Sequence, residues 1–120
     1  MFFRKYKKNN INWREIANEN DLANLLVLSN DLPCLIFKHS TRCSISTMAK
    51  SRLERNWEED INLAPYYLDL LNHRKISDKI AMQFNVVHQS PQVLLISKEK
   101  CEYNSSHNEI SFLKIKEKIL

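Results

Sequence analysis

The apolar positions of this chain fall into runs whose spacing switches between continuous, strand-like stretches and helical stripes. Cys34-Leu35-Ile36-Phe37 is an uninterrupted apolar run that follows Pro33 and ends in a polar turn, the mark of a strand buried on both faces. Ahead of it, Asn12–Ile16 reads as a short strand, and Asn18 with Asp21 resembles a cap for a helix whose inward side chains are Leu22, Leu25, Leu26 and Leu28. After the polar turn, Met48, Ala49, Leu53 and Trp57 sustain a helix from about Cys43 to Trp57, and its charged run Glu54-Arg55-Glu58-Glu59-Asp60 reads as a solvated face. Tyr66–Leu71, following Pro65, predicts a third strand, and Ile76, Ile80, Ala81 and Phe84 give the i, i+4, i+5, i+8 stripe of another helix. Gln92–Ile96 is a fourth strand, Ser97–Lys100 a hairpin turn and Cys101–Tyr103 a short fifth strand. The last helix is expected to begin near Ser106, where Ser106 and Glu109 have capping-box spacing, and to present Ile110, Leu113, Ile115 and Ile119.

The predicted order is β-α-β-α-β-α-β-β-α within one domain, 1–120, with neither internal repeat nor linker. Alternating strands and helices followed by a hairpin and a closing helix imply an α/β fold in which a mixed sheet is covered on both faces. A cysteine after the second strand and a proline opening the fourth make the pattern similar to thioredoxin.

Composition narrows the function classes. No apolar run approaches the ~20 residues that would span a bilayer, so no membrane partner is expected. The net charge of +4 comes entirely from Arg4, Lys5, Lys7 and Lys8 in a basic N-terminal arm (1–10), and the remaining fourteen basic residues balance fourteen acidic ones. That arm lacks interleaved aromatics and a binding motif, which argues against a nucleic-acid partner. Phe2 and Phe3 precede the basic cluster, the reverse of a secretory signal, so a cytoplasmic location is expected. Three cysteines without C-x-x-C spacing argue against a disulfide framework and a structural zinc site. Glycine is absent and asparagine abundant, which makes Asn85, just past a helical stripe, a candidate left-handed C-cap.

The candidate chemistry starts at Cys43. A strand delivers this thiol to a predicted helix start, where unpaired N–H groups and the helix dipole favour negative charge, and Lys38, His39 and Arg42 add positive charge nearby. Thiolate is the form that attacks disulfides, so Cys43 is the expected nucleophile. Ser46 stands where C-x-x-C would place a second cysteine. It cannot form an internal disulfide, which makes the site monothiol, and it is either a hydrogen-bond donor to the thiolate or an ordinary surface serine. Cys34 lies nine mostly extended residues before Cys43, and Cys101 is expected at the opposite end of the sheet, so neither is a resolving thiol. By its thioredoxin-like placement Pro91 is expected to follow a cis bond, leaving the backbone at Ser90 able to pair with an extended substrate strand. Ser105, Ser106, His107 and Asn108 are expected to open the last helix close to Cys43, where its N-terminus either accepts the carboxylates of a small thiol or is simply capped. His39, His88 and His107 are a weak alternative as metal ligands, and no bound metal is expected.

The segments Phe37-Lys38-His39-Ser40-Thr41-Arg42-Cys43-Ser44-Ile45-Ser46, Asn72-His73-Arg74-Lys75-Ile76-Ser77 and Val87-His88-Gln89-Ser90-Pro91-Gln92-Val93 closely resemble the YtxJ-like bacillithiol-system proteins, the monothiol bacilliredoxins. The resemblance runs from about Trp13 to the last helix. It implies a thioredoxin-like fold and removal of bacillithiol from S-bacillithiolated cytosolic proteins. Cys43 would attack and free bacillithiol, a thiol co-substrate, would restore it, with no tightly bound cofactor. Some relatives have proline where this chain has Ser44. Substrate contacts are expected from Lys38, His39, Arg42, Ser90, Pro91, Ser106 and His107, and the chain is expected as a monomer or weak dimer. Two alternatives stay open. One is a monothiol glutaredoxin-like transferase using another small thiol, although such proteins use glycines beside the ligand and this chain has none. The other is a non-catalytic adaptor that captures an extended peptide beside Pro91.

Overall fold

A computed structural model describes residues 11–119; the basic arm expected at 1–10 lies outside the described residues. Five strands and four helices follow one another as β1 (Arg14–Glu15), α1 (Glu19–Leu28), β2 (Cys34–His39), α2 (Ser44–Asn56), β3 (Ala64–Asp69), α3 (Arg74–Phe84), β4 (Gln92–Ser97), β5 (Lys100–Ser106) and α4 (Phe112–Ile119), with a single 3₁₀ turn at His107–Glu109 before α4. The sheet order is β1-β3-β2-β4-β5. β2 pairs parallel with β3 and antiparallel with β4, and the β4–β5 hairpin closes one edge. The mixed α/β sheet covered on both faces is therefore present.

Every residue of β2 is buried because the strand is central and helices cover both of its faces. Side chains alternate across it. Cys34 and Ile36 join Leu22, Leu25, Leu68, Ile76 and Ile80 on the face covered by α1 and α3. Leu35 and Phe37 join Ala49, Leu53, Trp57, Phe112 and Ile115 on the face covered by α2 and α4. Each such aliphatic or aromatic side chain removed from water contributes roughly 1.5–3 kcal/mol. On the α2 face Trp13 lies against Phe37 and Trp57, with ring centroids 5.9 and 6.0 Å away, and its indole N–H donates to Glu54 at 2.8 Å. This anchors the body of α2 and thereby fixes where its N-terminus points.

Local chemistry explains the element ends. The Asn18 side chain accepts the Asp21 amide at 2.8 Å and caps α1. Asn85 takes φ 54°, ψ 46° and ends α3 in the left-handed conformation expected of it. In this glycine-free chain Lys98, Glu99 and His107 also adopt positive φ, the first two forming the β4–β5 turn.

Several boundaries depart from the sequence reading: β3 runs Ala64–Asp69, with Pro65 inside it, and the largest shifts come near the last helix. β5 extends to Ser106, which pairs with Gln92, and α4 starts at Phe112. The Ser106 side chain makes no capping hydrogen bond, so the Ser106/Glu109 spacing imitates a capping box without forming one. Pairing with β4 claims the backbone through Ser106, and the left-handed His107 breaks the chain direction. Leu113, expected to face inward, is exposed because α4 starts six residues later than expected and buries Phe112 and Ile115 instead.

Candidate functional site

The parallel strands β2 and β3 end at one edge of the molecule, and there the buried surface changes character. Of the buried polar side chains among the described residues, Lys38, His39, Ser46, Ser77 and Gln92 cluster at this end, while Ser29 lies at the other.

Cys43 is the N-cap of α2. After His39 the chain turns, the Cys43 amide donating to the Ser40 carbonyl at 3.0 Å, and α2 begins as the Thr47 amide donates to the Cys43 carbonyl at 3.0 Å. The thiol makes no side-chain cap hydrogen bond and the residue is half-buried. Arg42, Ser44 and Ile45 beside it are exposed. The expected geometry is therefore present: a partly accessible thiol at a helix start, with an arginine next to it.

Ser46 differs from the surface-serine alternative. It is fully buried at the third position of α2, its hydroxyl accepts the Ser40 amide at 3.0 Å, and its Oγ lies 2.7 Å from His39 Nδ1. Ser46 thus ties the turn that carries Cys43 to the first turn of the helix. His39, the last residue of β2, points to the α2 face and stacks on Phe37 with centroids 5.5 Å apart. Burial lowers its pKa from the ordinary 6.5, with the positive charge of Lys50 acting in the same direction, while Asp69 and Glu54 pull the other way.

Lys38 points to the opposite face. It is fully buried, with its ammonium 3.3 Å from His88 Nδ1 and 3.5 Å from the Ser77 carbonyl. The expectation that it meets substrate beside the thiol is corrected: strand alternation sends it into the layer under α3. Burial pushes its pKa down to about 8, partly offset by Asp78, and burial followed by the charge of Lys38 lowers that of His88.

The Ser90–Pro91 bond is cis. Gln92, unremarked in the sequence, arranges this loop: its side-chain amide donates to the Val87 carbonyl at 3.0 Å and its Oε1 accepts the Gln89 amide at 3.3 Å. Its only sequence signal is a polar residue opening an otherwise apolar strand. The His107 amide donates to the Pro91 carbonyl at 3.0 Å, and Arg52 of α2 donates to the carbonyls of His107 and Ile110, so the 3₁₀ turn is held against both the proline loop and α2. Ser106 and His107 are near the expected place, but the helix N-terminus expected there is absent, because the turn spans three residues and α4 begins farther on.

The other thiols lie elsewhere. Cys34 opens β2, five residues before His39 and roughly 16 Å from that end at ~3.3 Å per residue. Burial pushes its pKa up to about 11. Cys101 faces Ile96, which in turn faces Cys34, placing it at the hairpin end as expected, and burial raises its pKa too. Two strand spacings, roughly 10 Å, exceed the ~7 Å limit for a disulfide, and all three cysteines are free. Among the described residues no three His, Cys, Asp or Glu side chains gather as a metal site, and no helix is long and apolar enough to cross a membrane.

Solved structures share this architecture. A protein described as a candidate oxidoreductase with a thioredoxin fold is similar with TM-score 0.76 and 25% identity, covering 89% of this chain and 93% of its own. Thioredoxin from Trypanosoma brucei brucei superposes with TM-score 0.71 at 14% identity over 98% of this chain and 95% of its own, and Fasciola hepatica thioredoxin with 0.69 at 17% over 88% and 95%. The fold is that of thioredoxin, and the family match supports a thiol oxidoreductase. Residues 14–115 match the family described as monothiol bacilliredoxin BrxC, and the chain belongs to that family.

Proposed function

We propose that this protein removes bacillithiol from S-bacillithiolated cytosolic proteins, using Cys43 as the attacking thiolate of a C-x-x-S site. The observation that carries the reading is the half-buried Cys43 at the N-cap of α2, with Ser46 in the second-cysteine position and both other thiols on the far side of the sheet.

The Cys43 thiolate attacks the bacillithiol sulfur of a protein–bacillithiol disulfide. A Cys43–bacillithiol bond forms as the protein sulfur leaves as thiolate and takes a proton from water. A second bacillithiol thiolate then attacks the bacillithiol sulfur on Cys43, producing oxidised bacillithiol and restoring the Cys43 thiolate. Arg42 and His107, exposed at this end like Arg74 and Lys75 at the start of α3, suit an anionic thiol, and the backbone at Ser90 and Pro91 suits an extended protein segment.

Mass spectrometry after exposure to oxidised bacillithiol tests the reading. A single adduct on Cys43, absent from Cys43→Ser and released by free bacillithiol, is expected. No adduct on Cys43, together with equal behaviour of Cys43→Ser toward bacillithiolated proteins, would overturn it.

A further inference from the structure

We propose that Lys38 is a positioning residue for the protein-binding loop: its ammonium, fixed beneath α3, holds the His88 ring and with it the stretch that carries the cis Ser90–Pro91 bond. The inference rests on Cys43 acting on protein mixed disulfides and adds to that reading what shapes the edge against which the protein segment lies.

Lys38 and Gln92 are register partners on the antiparallel strands β2 and β4, so their side chains leave the sheet on one face. From there they reach three consecutive residues of the loop between α3 and β4. Gln92 holds Val87 by its carbonyl at 3.0 Å and Gln89 by its amide at 3.3 Å. Lys38 holds the residue between them, its Nζ lying 3.3 Å from His88 Nδ1. Residues 87–90 belong to no helix or strand, so these side chains take the place of the ladder bonds that fix backbone elsewhere. Gln92 opens the strand that follows the loop and sets the loop's curl. Lys38 belongs to the central strand β2 and sets where that curl sits relative to the strand that leads to Cys43.

The chemistry of the contact has one direction. An ammonium only donates, so His88 Nδ1 accepts and the ring proton sits on Nε2. The Ser77 hydroxyl lies 3.4 Å from the same nitrogen and the Ser77 carbonyl 3.5 Å from Lys38 Nζ, which closes a triangle joining β2, α3 and the loop. Burial, followed by the charges of Lys38 and Arg74, keeps the imidazole neutral against the opposite pull of Asp78, as an acceptor of a hydrogen bond from an ammonium must be. A methionine would fill the Lys38 site without the cost of burying a charge, so the contribution of the ammonium lies in what it holds.

The test sets a substrate that must lie along the loop against one that need not. In the full chain, as wild type, Lys38→Met, His88→Phe, the double variant and His88→Asn, steady-state reduction of a bacillithiolated protein is measured with bacillithiol in excess, beside the rate of Cys43 adduct formation with oxidised bacillithiol. Lys38→Met and His88→Phe are each expected to raise the KM for the protein about tenfold, the usual worth of a hydrogen bond to a charged group, with kcat and the rate with oxidised bacillithiol within about twofold of wild type. The double variant should be no worse than either single one, because both remove the same contact. His88→Asn, which keeps an acceptor near the Nδ1 position, should stay near the wild-type KM. Nitrogen-15 NMR should show wild-type His88 protonated at Nε2 with Nδ1 bare, and in Lys38→Met its titration should move to higher pH as the neighbouring charge is lost. His88→Phe changes a half-buried loop residue and carries the comparison alone if Lys38→Met does not fold. Wild-type KM in both single variants, additive losses in the double variant, or equal losses on the protein and on oxidised bacillithiol would overturn the positioning role while leaving Cys43 as nucleophile. Wild-type protein that forms no Cys43 adduct would instead overturn the underlying reading.

Discussion

The two ends of the sheet are built on different principles. At the hairpin end, Cys34, Ile96 and Cys101 line up across three strands in an apolar setting, and the turn is pinned by Ser29, whose carbonyl accepts the Lys98 amide at 2.8 Å and whose hydroxyl accepts the Glu99 amide at 3.0 Å. At the other end two consecutive buried polar residues, Lys38 and His39, diverge to opposite faces, and each meets a buried serine near a helix start, Ser77 on α3 and Ser46 on α2. A thiol buried among hydrocarbon is held protonated and inert, whereas a thiol at a helix start beside polar partners is available for chemistry. Position in the sheet, more than the residue type, separates the one cysteine from the other two.

The largest effect expected from this contrast is kinetic. With its pKa pushed up to about 11 against an ordinary 9.0, Cys34 carries about a hundredfold less thiolate near neutral pH than an ordinary thiol. Timed alkylation followed by peptide mapping should therefore label Cys43 at least that much faster than Cys34, and comparable rates would remove the distinction.

Next comes the pH dependence of stability, in which the two ends oppose each other. The pKa of Lys38 falls to about 8 on folding from 10.5, so between those values the unfolded chain binds more protons and stability rises with pH. That of Cys34 rises on folding from 9.0 to about 11, so its contribution is fully present below pH 9 and is lost as pH climbs toward 11. Lys38→Met should remove an upward slope of up to about 1.4 kcal/mol per pH unit above pH 8 in urea-unfolding curves, and Cys34→Ala should remove a downward one. Identical slopes in wild type and Lys38→Met would show the ammonium to be hydrated.

Ser29→Ala removes the hydroxyl that accepts the Glu99 amide and donates to the Leu26 carbonyl at 2.6 Å. It should cost about 1–2 kcal/mol in the unfolding midpoint while leaving the rate of Cys43 alkylation unchanged. A change in that rate would couple the two ends. Asn85→Ala should cost about 1 kcal/mol, because alanine has no side-chain polar group to ease the left-handed conformation.

Much of this arrangement was legible beforehand. The fold followed from element order, since the apolar run of β2 and the helical stripes of α2 and α3 each had one reading consistent with their length. Asn85 was legible because a chain without glycine must place its left-handed residues elsewhere. The placement of Cys43 at a helix start was legible because its strand-turn-helix setting is local. What depended on tertiary contact was not. The start of α4 was misread because a serine and a glutamate three apart look the same whether the backbone bonds within a helix or across to β4. The inward turn of Lys38 and the burial of Ser46 were missed because charge and hydroxyl suggest surface, and only the partners supplied by Ser77, His88, His39 and Ser40 make burial tolerable.

The distance from Cys43 to its sister thiols sets how long a captured group stays. Under the proposed mechanism, with Cys34 and Cys101 out of reach, neither of the other thiols displaces a group bound to Cys43, and the bond persists until an outside thiol arrives. The lifetime of that loaded form is then inversely proportional to the concentration of the arriving thiol. The loaded fraction becomes a running gauge of the surrounding reducing supply.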